Sequence, residues 1–344
     1  MKQRQNILSA PCDVLPDANE LAEGADVDAE VEERDIDIQA ELHGERLDRA
    51  LSMLLPEFSR SYAQQLLNEG SVVRLLPMAG PAGKASAKVR MGERYRISLR
   101  PTPQSQAFQA EAMPLQVVHE DAELRVIYKP AGLVVHPAPG NWRGTLLNGL
   151  LALDPQAVML PRAGIVHRLD KDTSGLMVVA RTRRSMDALV AMIAAREVRR
   201  EYLALAHKGW QGPSEQRVEE AVGRDPRQRV RMAVVDLARQ AGKSALTDVR
   251  LLASQPEACL VHCRLHTGRT HQIRVHMAHL GHPLLADALY GGRPLAGLDR
   301  QALHAWQLRL THPVTAQAMA WRSPPPADFR QAQARLGLQS AELE

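Results

Sequence analysis

The sequence predicts an α+β protein built on a mixed, mainly antiparallel sheet, with a small helical module ahead of it. Three observations carry this reading. From Met113 to about Arg330, short aliphatic runs of strand length outnumber the helical patterns and do not alternate regularly with them, which argues against a doubly wound sheet. Hydrophobic residues make up 45% of the chain but aromatics only 3%, so the core is aliphatic. A stretch rich in proline and glutamine, residues 101–112, reads as a linker between the sheet region and the amphipathic segment before it.

The elements follow in order. Residues 1–45 hold 13 acidic and three basic side chains, a charge of −10, so residues 1–43 read as an acidic disordered leader. Residues 44–100 read as a small αβ module. Leu47, Leu51, Leu54 and Leu55 share one helical face, and Pro56 ends that helix. Ser59 caps a second helix with Tyr62, Leu66 and Leu67 inward and Arg60 in its exposed first turn, where a phosphate could sit. Gly70 closes it, and a strand runs through Val72 and Val73. The Gly80–Ser86 segment resembles a phosphate loop, but its leading glycine is wrongly spaced.

In the sheet region, residues 113–330, strands are expected near Leu115–His119, Leu124–Tyr128, Leu176–Ala180, Val198–Ala206, Ala245–Leu252, Cys259–His266, Ala302–Leu310 and Met319–Arg322. Helices are expected near Leu146–Leu153, Ser185–Arg196 and Thr270–Leu280, and residues 331–344 as a loose tail.

Charge and cysteine usage bound the partner and the compartment. The total is +4, so the chain beyond residue 45 carries +14, which suggests a polyanionic partner; ordinary solubility is the alternative. No apolar run reaches the roughly 18–20 residues of a membrane span, and the N-terminus lacks a signal-peptide core. A cytoplasmic protein is expected, with its three cysteines reduced. Cys259 and Cys263 fall on one strand face as buried thiols; a zinc site would need a second pair.

Four constellations could carry chemistry. The first is His167-Arg168-Leu169-Asp170-Lys171-Asp172, bounded by the aliphatic runs Ala163–Val166 and Leu176–Ala180, both read as strands. Neighbouring cations favour a charged Asp170, and Asp172 two residues on would share its face, a pairing suited to glycosidic chemistry. A solvated turn of mixed charges is the alternative. The second is the run from Leu265 to His279, where Thr270 caps a helix and His271 and Arg274 share a face, making Arg274 a partner for a distant carboxylate. Its four histidines invite a metal reading, but it has neither glutamate nor an HExxH pattern, and no metal is expected. The third is Arg199–Leu205, with Tyr202 facing inward opposite two arginines; it either fills the core or meets a base. The fourth is the basic run Arg224–Arg231, a mobile loop that could grip phosphates or simply be solvated.

Four blocks extend the argument beyond composition. "RAGIVHRLDKDTSGLMVVART" (162–182), "YKPAGLVVHP" (128–137), "REYLALA" (200–206) and "LHTGRTHQIRVHMAHLGHPLLADALYGG" (265–292) together resemble the RluA-type pseudouridine synthases in order and spacing. The stretch "RLDRALSMLLPEFSRSYAQQLLNEGSV" resembles the alpha-L, S-four-like RNA-binding motif, departing from it between Arg74 and Ser86. The resemblance spans about residues 46–328. It implies a pseudouridine synthase fold, a long mixed sheet with a central cleft. It also implies isomerisation of uridine in RNA without a cofactor or metal. The implied target is 23S ribosomal RNA or the pre-ribosomal large subunit, at the loop uridines of helix 69, and a monomer is expected. Asp170 matches the catalytic carboxylate, Tyr202 the base-stacking tyrosine, Arg274 the arginine that pairs with the carboxylate, and Arg168 an arginine that aids base flipping. Arg46, Arg60, Arg227, Arg229 and Arg231 are the further RNA-binding candidates, with His136, His167 and His271 in support. Three alternatives stand beside this: a synthase with another ribosomal or transfer RNA target, a catalytically silent RNA-binding assembly protein, and a hydrolase using Asp170 and Asp172.

Overall fold

The computed structural model describes residues 32–55, 60–99, 105–138, 141–228 and 230–341. The leader to residue 31, Pro56, Ser59, Arg229 and residues 101–104 of the linker lie outside the described residues. The chain divides into two compact units, Met1–Thr102 and Pro103–Glu344.

The first unit holds β1 (Glu32–Asp37), α1 (Leu47–Leu54), α2 (Arg60–Asn68), β2 (Val72–Leu76), β3 (Gly80–Pro81) and β4 (Arg94–Leu99), with the strands ordered β1-β4-β2-β3. The leucine stripe of α1 does what its spacing predicts. Leu47 and Leu51 are buried with Leu66 of α2 and with Val72, Tyr95 and Ile97 of the sheet. The disordered leader requires correction over Glu32–Asp37, which pairs with β4 along six residues. Its acids find cations across that ladder: Arg94 Nε donates to Asp37 at 2.6 Å and Arg96 Nε to Asp35 at 2.8 Å. Composition counts the acids but does not see the partner strand. Where the sequence departs from the RNA-binding motif, between Arg74 and Ser86, the chain forms part of a hairpin in which Val73 pairs Pro81 and Arg74 pairs Gly80.

The second unit is organised by one sheet of nine strands. They are β5 (Gln116–Glu120), β6 (Leu124–Lys129), β7 (Ser174–Ala180), β8 (Arg199–His207), β9 (Glu215–Val218), β13 (Thr247–Ser254), β14 (Ala258–Leu265), β15 (Leu303–Thr311) and β16 (Ala318–Arg322). The order is β5-β6-β7-β15-β8-β14-β13-β9, with β16 paired to the outer part of β15. Every pairing in this sheet is antiparallel except β7 with β15, through Ser174–His304 and Gly175–Ala305. The structure therefore has the expected mixed, mainly antiparallel sheet. A small second sheet, β10 (Val222–Arg224), β11 (Met232–Val234) and β12 (Gly242–Lys243), flanks the basic run: Arg224 ends β10, and the described residues from Asp225 to Arg231 lie in the connection to β11.

Both faces of the large sheet are covered. On one, Tyr202, Ala204 and Ala206 of β8 pack with Cys259, Val261 and Cys263 of β14, with α3 (Leu146–Leu153) and with α5 (Gln272–His279). On the other, Leu203 and Leu205 pack against α6 (Ala327–Arg335), while Leu176 and Val178 pack against α4 (Arg183–Ala194). The strict alternation along β8 is the period-two pattern of a doubly buried strand. Both thiols are buried as expected, and burial pushes that of Cys259 up to about 12.

Two more expectations fail. The tail begins later than residue 331, because α6 buries Phe329 and Ala332 completely, and Leu338 beyond it as well. Ala163–Val166 is not a strand. Arg162 and Ala163 adopt left-handed backbone at φ 54° and 53°, and only Ile165 touches the sheet, in a single bridge to Val179. A Cβ at Gly164 would come within 2.0 Å of the Ala180 carbonyl, so the chain turns sharply there and stays at the sheet's rim.

Candidate active site

A cavity of about 430 Å³ opens over the centre of the large sheet, within the range of small-ligand pockets. Tyr202 of β8, Leu265 of β14 and Leu303 of β15 form its floor. Residues 165–170 make one wall and residues 266–274 the other. Arg162, Arg168 and Arg196 stand exposed around it.

Asp170 is held by three neighbouring anchors. Arg274 Nη1 donates to its Oδ2 at 3.1 Å. The Lys129 ammonium donates to the Lys171 carbonyl at 2.8 Å and to the carbonyls of Pro130 and Leu133. Arg300 Nη1 donates to the Asp172 carbonyl at 2.9 Å, while its Nε and Nη2 grip Asp328 of α6. The Thr173 amide closes the turn onto the Asp170 carbonyl at 3.1 Å. This turn overturns the expectation of two carboxylates on one extended face, and Asp172 does not line the cavity.

Arg274 is itself locked. Its Nε and Nη2 donate to the two oxygens of buried Asp287 at 2.7 and 2.8 Å, a bidentate pair. Burial opposes its charge, but Asp287 and then Asp170 hold the guanidinium above the ordinary arginine value. Tyr290 lies under it at 5.0 Å and bonds His271 Nδ1 at 2.8 Å, which leaves His271 Nε2 3.9 Å from Asp170 Oδ1. The cavity is therefore a carboxylate fixed by a fully committed arginine, beside a buried tyrosine.

Tyr202, His167 and His136 of the cavity are kept neutral near pH 7. Burial pushes Tyr202 up to about 12, with Arg200 opposing and Asp170 reinforcing the shift. Burial, then the charge of Arg200, pulls His167 down to about 3, and burial with Arg162 and Arg168 pulls His136 down to about 4. His271 is lowered by burial against the pull of Asp170. The Val178 amide donates to His167 Nε2 at 3.1 Å, so this ring carries its proton on Nδ1.

Of the residues singled out from sequence, Asp170, Tyr202, Arg274, Arg168, His136, His167 and His271 all line this cavity. Arg227 lies exposed on the turn between β10 and β11. Arg231 stacks over Tyr290 at 5.2 Å, behind the cavity wall. Arg46 and Arg60 belong to the first unit, where both donate to the buried carboxylate of Asp48 while staying about half exposed, 48% and 49%. Two details differ from expectation. α5 starts at Gln272 with His271 as its left-handed cap, rather than at Thr270. Arg200 shares the face of Tyr202 and lines the cavity. The histidines of 266–279 part ways: His266 bonds Asp248, His271 bonds Tyr290, and His276 bonds Thr247. Sequence reasoning missed Asp287, Tyr290, Lys129 and Arg200. All four lie inside or at the edge of the quoted motif blocks, but none has a local pattern that announces its partner.

The fold and the site define an α+β enzyme with an arginine-anchored carboxylate in a cation-rimmed cleft. A family model described as RNA pseudouridylate synthase matches residues 123–279, which include Asp170, Tyr202 and Arg274. A ribosomal large subunit pseudouridine synthase D from Nitrosomonas europaea is 47% identical over 296 residues, 84% of this chain and 83% of the relative. Proteins of the same name from Neisseria meningitidis and Haemophilus influenzae are 44% and 43% identical, each over 85% of this chain and over 79% and 91% of their own length. The solved structure of human RNA pseudouridylate synthase domain containing 4 superposes with a TM-score of 0.53 at 25% identity, covering 65% of this chain and 94% of that one. The chain belongs to the RNA pseudouridylate synthase family and is an RNA pseudouridine synthase.

Proposed function

We propose that this synthase isomerises uridines of the large-subunit ribosomal RNA, with Asp170 as its catalytic carboxylate. The observation that carries the reading is the anchoring of Asp170 by Arg274 in the one cavity that also contains Tyr202. The names of the three bacterial relatives support the ribosomal target, and the loop uridines of helix 69 in 23S RNA are the proposed positions.

The target nucleotide must leave its stack to reach a carboxylate on the cavity wall, and exposed Arg168 at the rim is placed to replace it. The glycosidic bond is cut, the uracil turns while held, and it rejoins through carbon. The product has the same atoms and oxidation state as the substrate, so no redox partner enters. With Oδ2 taken by Arg274, Oδ1 of Asp170 is the oxygen directed to the substrate. Tyr202, still protonated, offers a flat face to the base and a hydroxyl proton. His136, His167 and His271 line the site as neutral, supporting groups. The first unit acts as the alpha-L-type RNA-binding module, with Arg46 and Arg60 oriented by Asp48. Arg227, Arg229 and Arg231 add phosphate contacts, and the enzyme works as a cytoplasmic monomer.

Mapping pseudouridines in cells that lack the protein tests the target. Loss at the helix 69 loop is expected. An unchanged ribosomal profile with losses in transfer RNA would overturn the target, and release of free uracil by the purified enzyme would point to a hydrolase.

A further inference from the structure

Three arginines are buried among the described residues of the second unit: Arg125, Arg200 and Arg274. Arg125 donates to Glu120 at 2.7 Å, and Arg274 is held by Asp287 and Asp170. Arg200 differs. It is 6% exposed, its Nε has no hydrogen-bond partner, and no ion pair to its guanidinium forms among the described residues. A buried charge without a partner is costly, and structures rarely keep one idle.

Its position gives that charge a use. Arg200 precedes Tyr202 by two residues on β8, so both point into the cavity, roughly 6.5–7 Å apart along the strand. Its guanidinium lies against Gly268, where a Cβ would come within 2.7 Å of Nη1, so the glycine keeps the space open. The rim beyond it carries Arg162, Arg168, Arg196 and Arg269. Besides Arg274, which is paired with Asp170 and Asp287, five arginines surround one cavity, an excess of positive charge that favours a bound anion. A planar guanidinium matches two oxygens of a phosphate better than a single carbonyl of uracil.

We propose that Arg200 clamps a phosphate bordering the target uridine, so that the RNA supplies the counterion the protein withholds. Arg200 thereby fixes the flipped nucleotide between itself and Asp170, with Tyr202 between the two. This rests on the reading above that the cavity receives a uridine of RNA.

The test uses an RNA fragment that the full-length enzyme isomerises, with each phosphate bordering the target replaced in turn by an uncharged methylphosphonate. If the wild-type enzyme converts no RNA, the functional reading fails and this inference with it. Given conversion, one neutral linkage is expected to lower the wild-type kcat/KM about tenfold to hundredfold. The same linkage leaves the already slowed Arg200→Gln enzyme unchanged. Gly268→Ala, which displaces the guanidinium tip, is expected to fall between the two enzymes. Full wild-type activity on both neutral linkages overturns the proposal, whether or not the variant folds. So does a linkage effect of equal size in wild type and Arg200→Gln, which would place the contact elsewhere.

Discussion

Arg274 holds two carboxylates with one guanidinium, and the division of its donors is the central fact at the residue scale. Two nitrogens serve Asp287 and one serves Asp170, so Asp287 decides where Arg274 points. Asp287→Asn is expected to lower kcat about tenfold to hundredfold, because the arginine loses its charged brace and Asp170 its fixed direction. Steady-state kinetics with melting as a fold control would check this. Three histidines, His304 buried and His136 and His167 half-buried, set a second expectation. His167, His136 and His304 are lowered to about 3, 4 and 4, so below pH 6.5 the unfolded chain binds protons that the folded chain refuses. Stability is therefore expected to fall as pH drops from 6.5 towards 4, by roughly 1 kcal/mol per pH unit for each fully buried ring. Replacing His304 by Asn should flatten that slope in thermal melts. Asp170 was legible because its cations are neighbours in sequence. Asp287 was not, since its partner lies on another element.

At the scale of elements, α6 acts at a distance. Its Asp328 holds Arg300, and Arg300 holds the carbonyl of Asp172 in the loop that presents Asp170. The helix stays in place through Phe329, which is fully buried against Leu203 and Leu205. Phe329→Ala is expected to cost about 3–5 kcal/mol of stability, measurable by denaturant unfolding. Gly175 matters for a different reason. Its φ is +120°, and a Cβ there would come within 2.2 Å of the Ala305 carbonyl, at the one parallel contact in the sheet. The long aliphatic strands were legible because burial on both faces leaves continuous apolar runs. Short strands such as β9 to β12, and α6 with its polar exposed face, carry too few apolar positions for a period to emerge.

For the whole molecule, charge was read correctly as a sum and less well as a boundary. The acidic segment to residue 45 is two things: residues 1–31 outside the described structure, and β1, which neutralises Arg94 and Arg96 on the sheet of the first unit. Every residue assigned to chemistry lies beyond residue 44. Removing residues 1–31 is therefore expected to leave turnover unchanged, whereas removing 1–43 deletes an edge strand and lowers the melting temperature. The central claim is that Asp170 performs the isomerisation and does not merely brace the RNA. Single-turnover conversion by Asp170→Asn, measured beside its RNA affinity, tests this most directly. Conversion should vanish while binding stays near the wild-type value; turnover close to wild type in a variant that binds RNA normally would contradict the account.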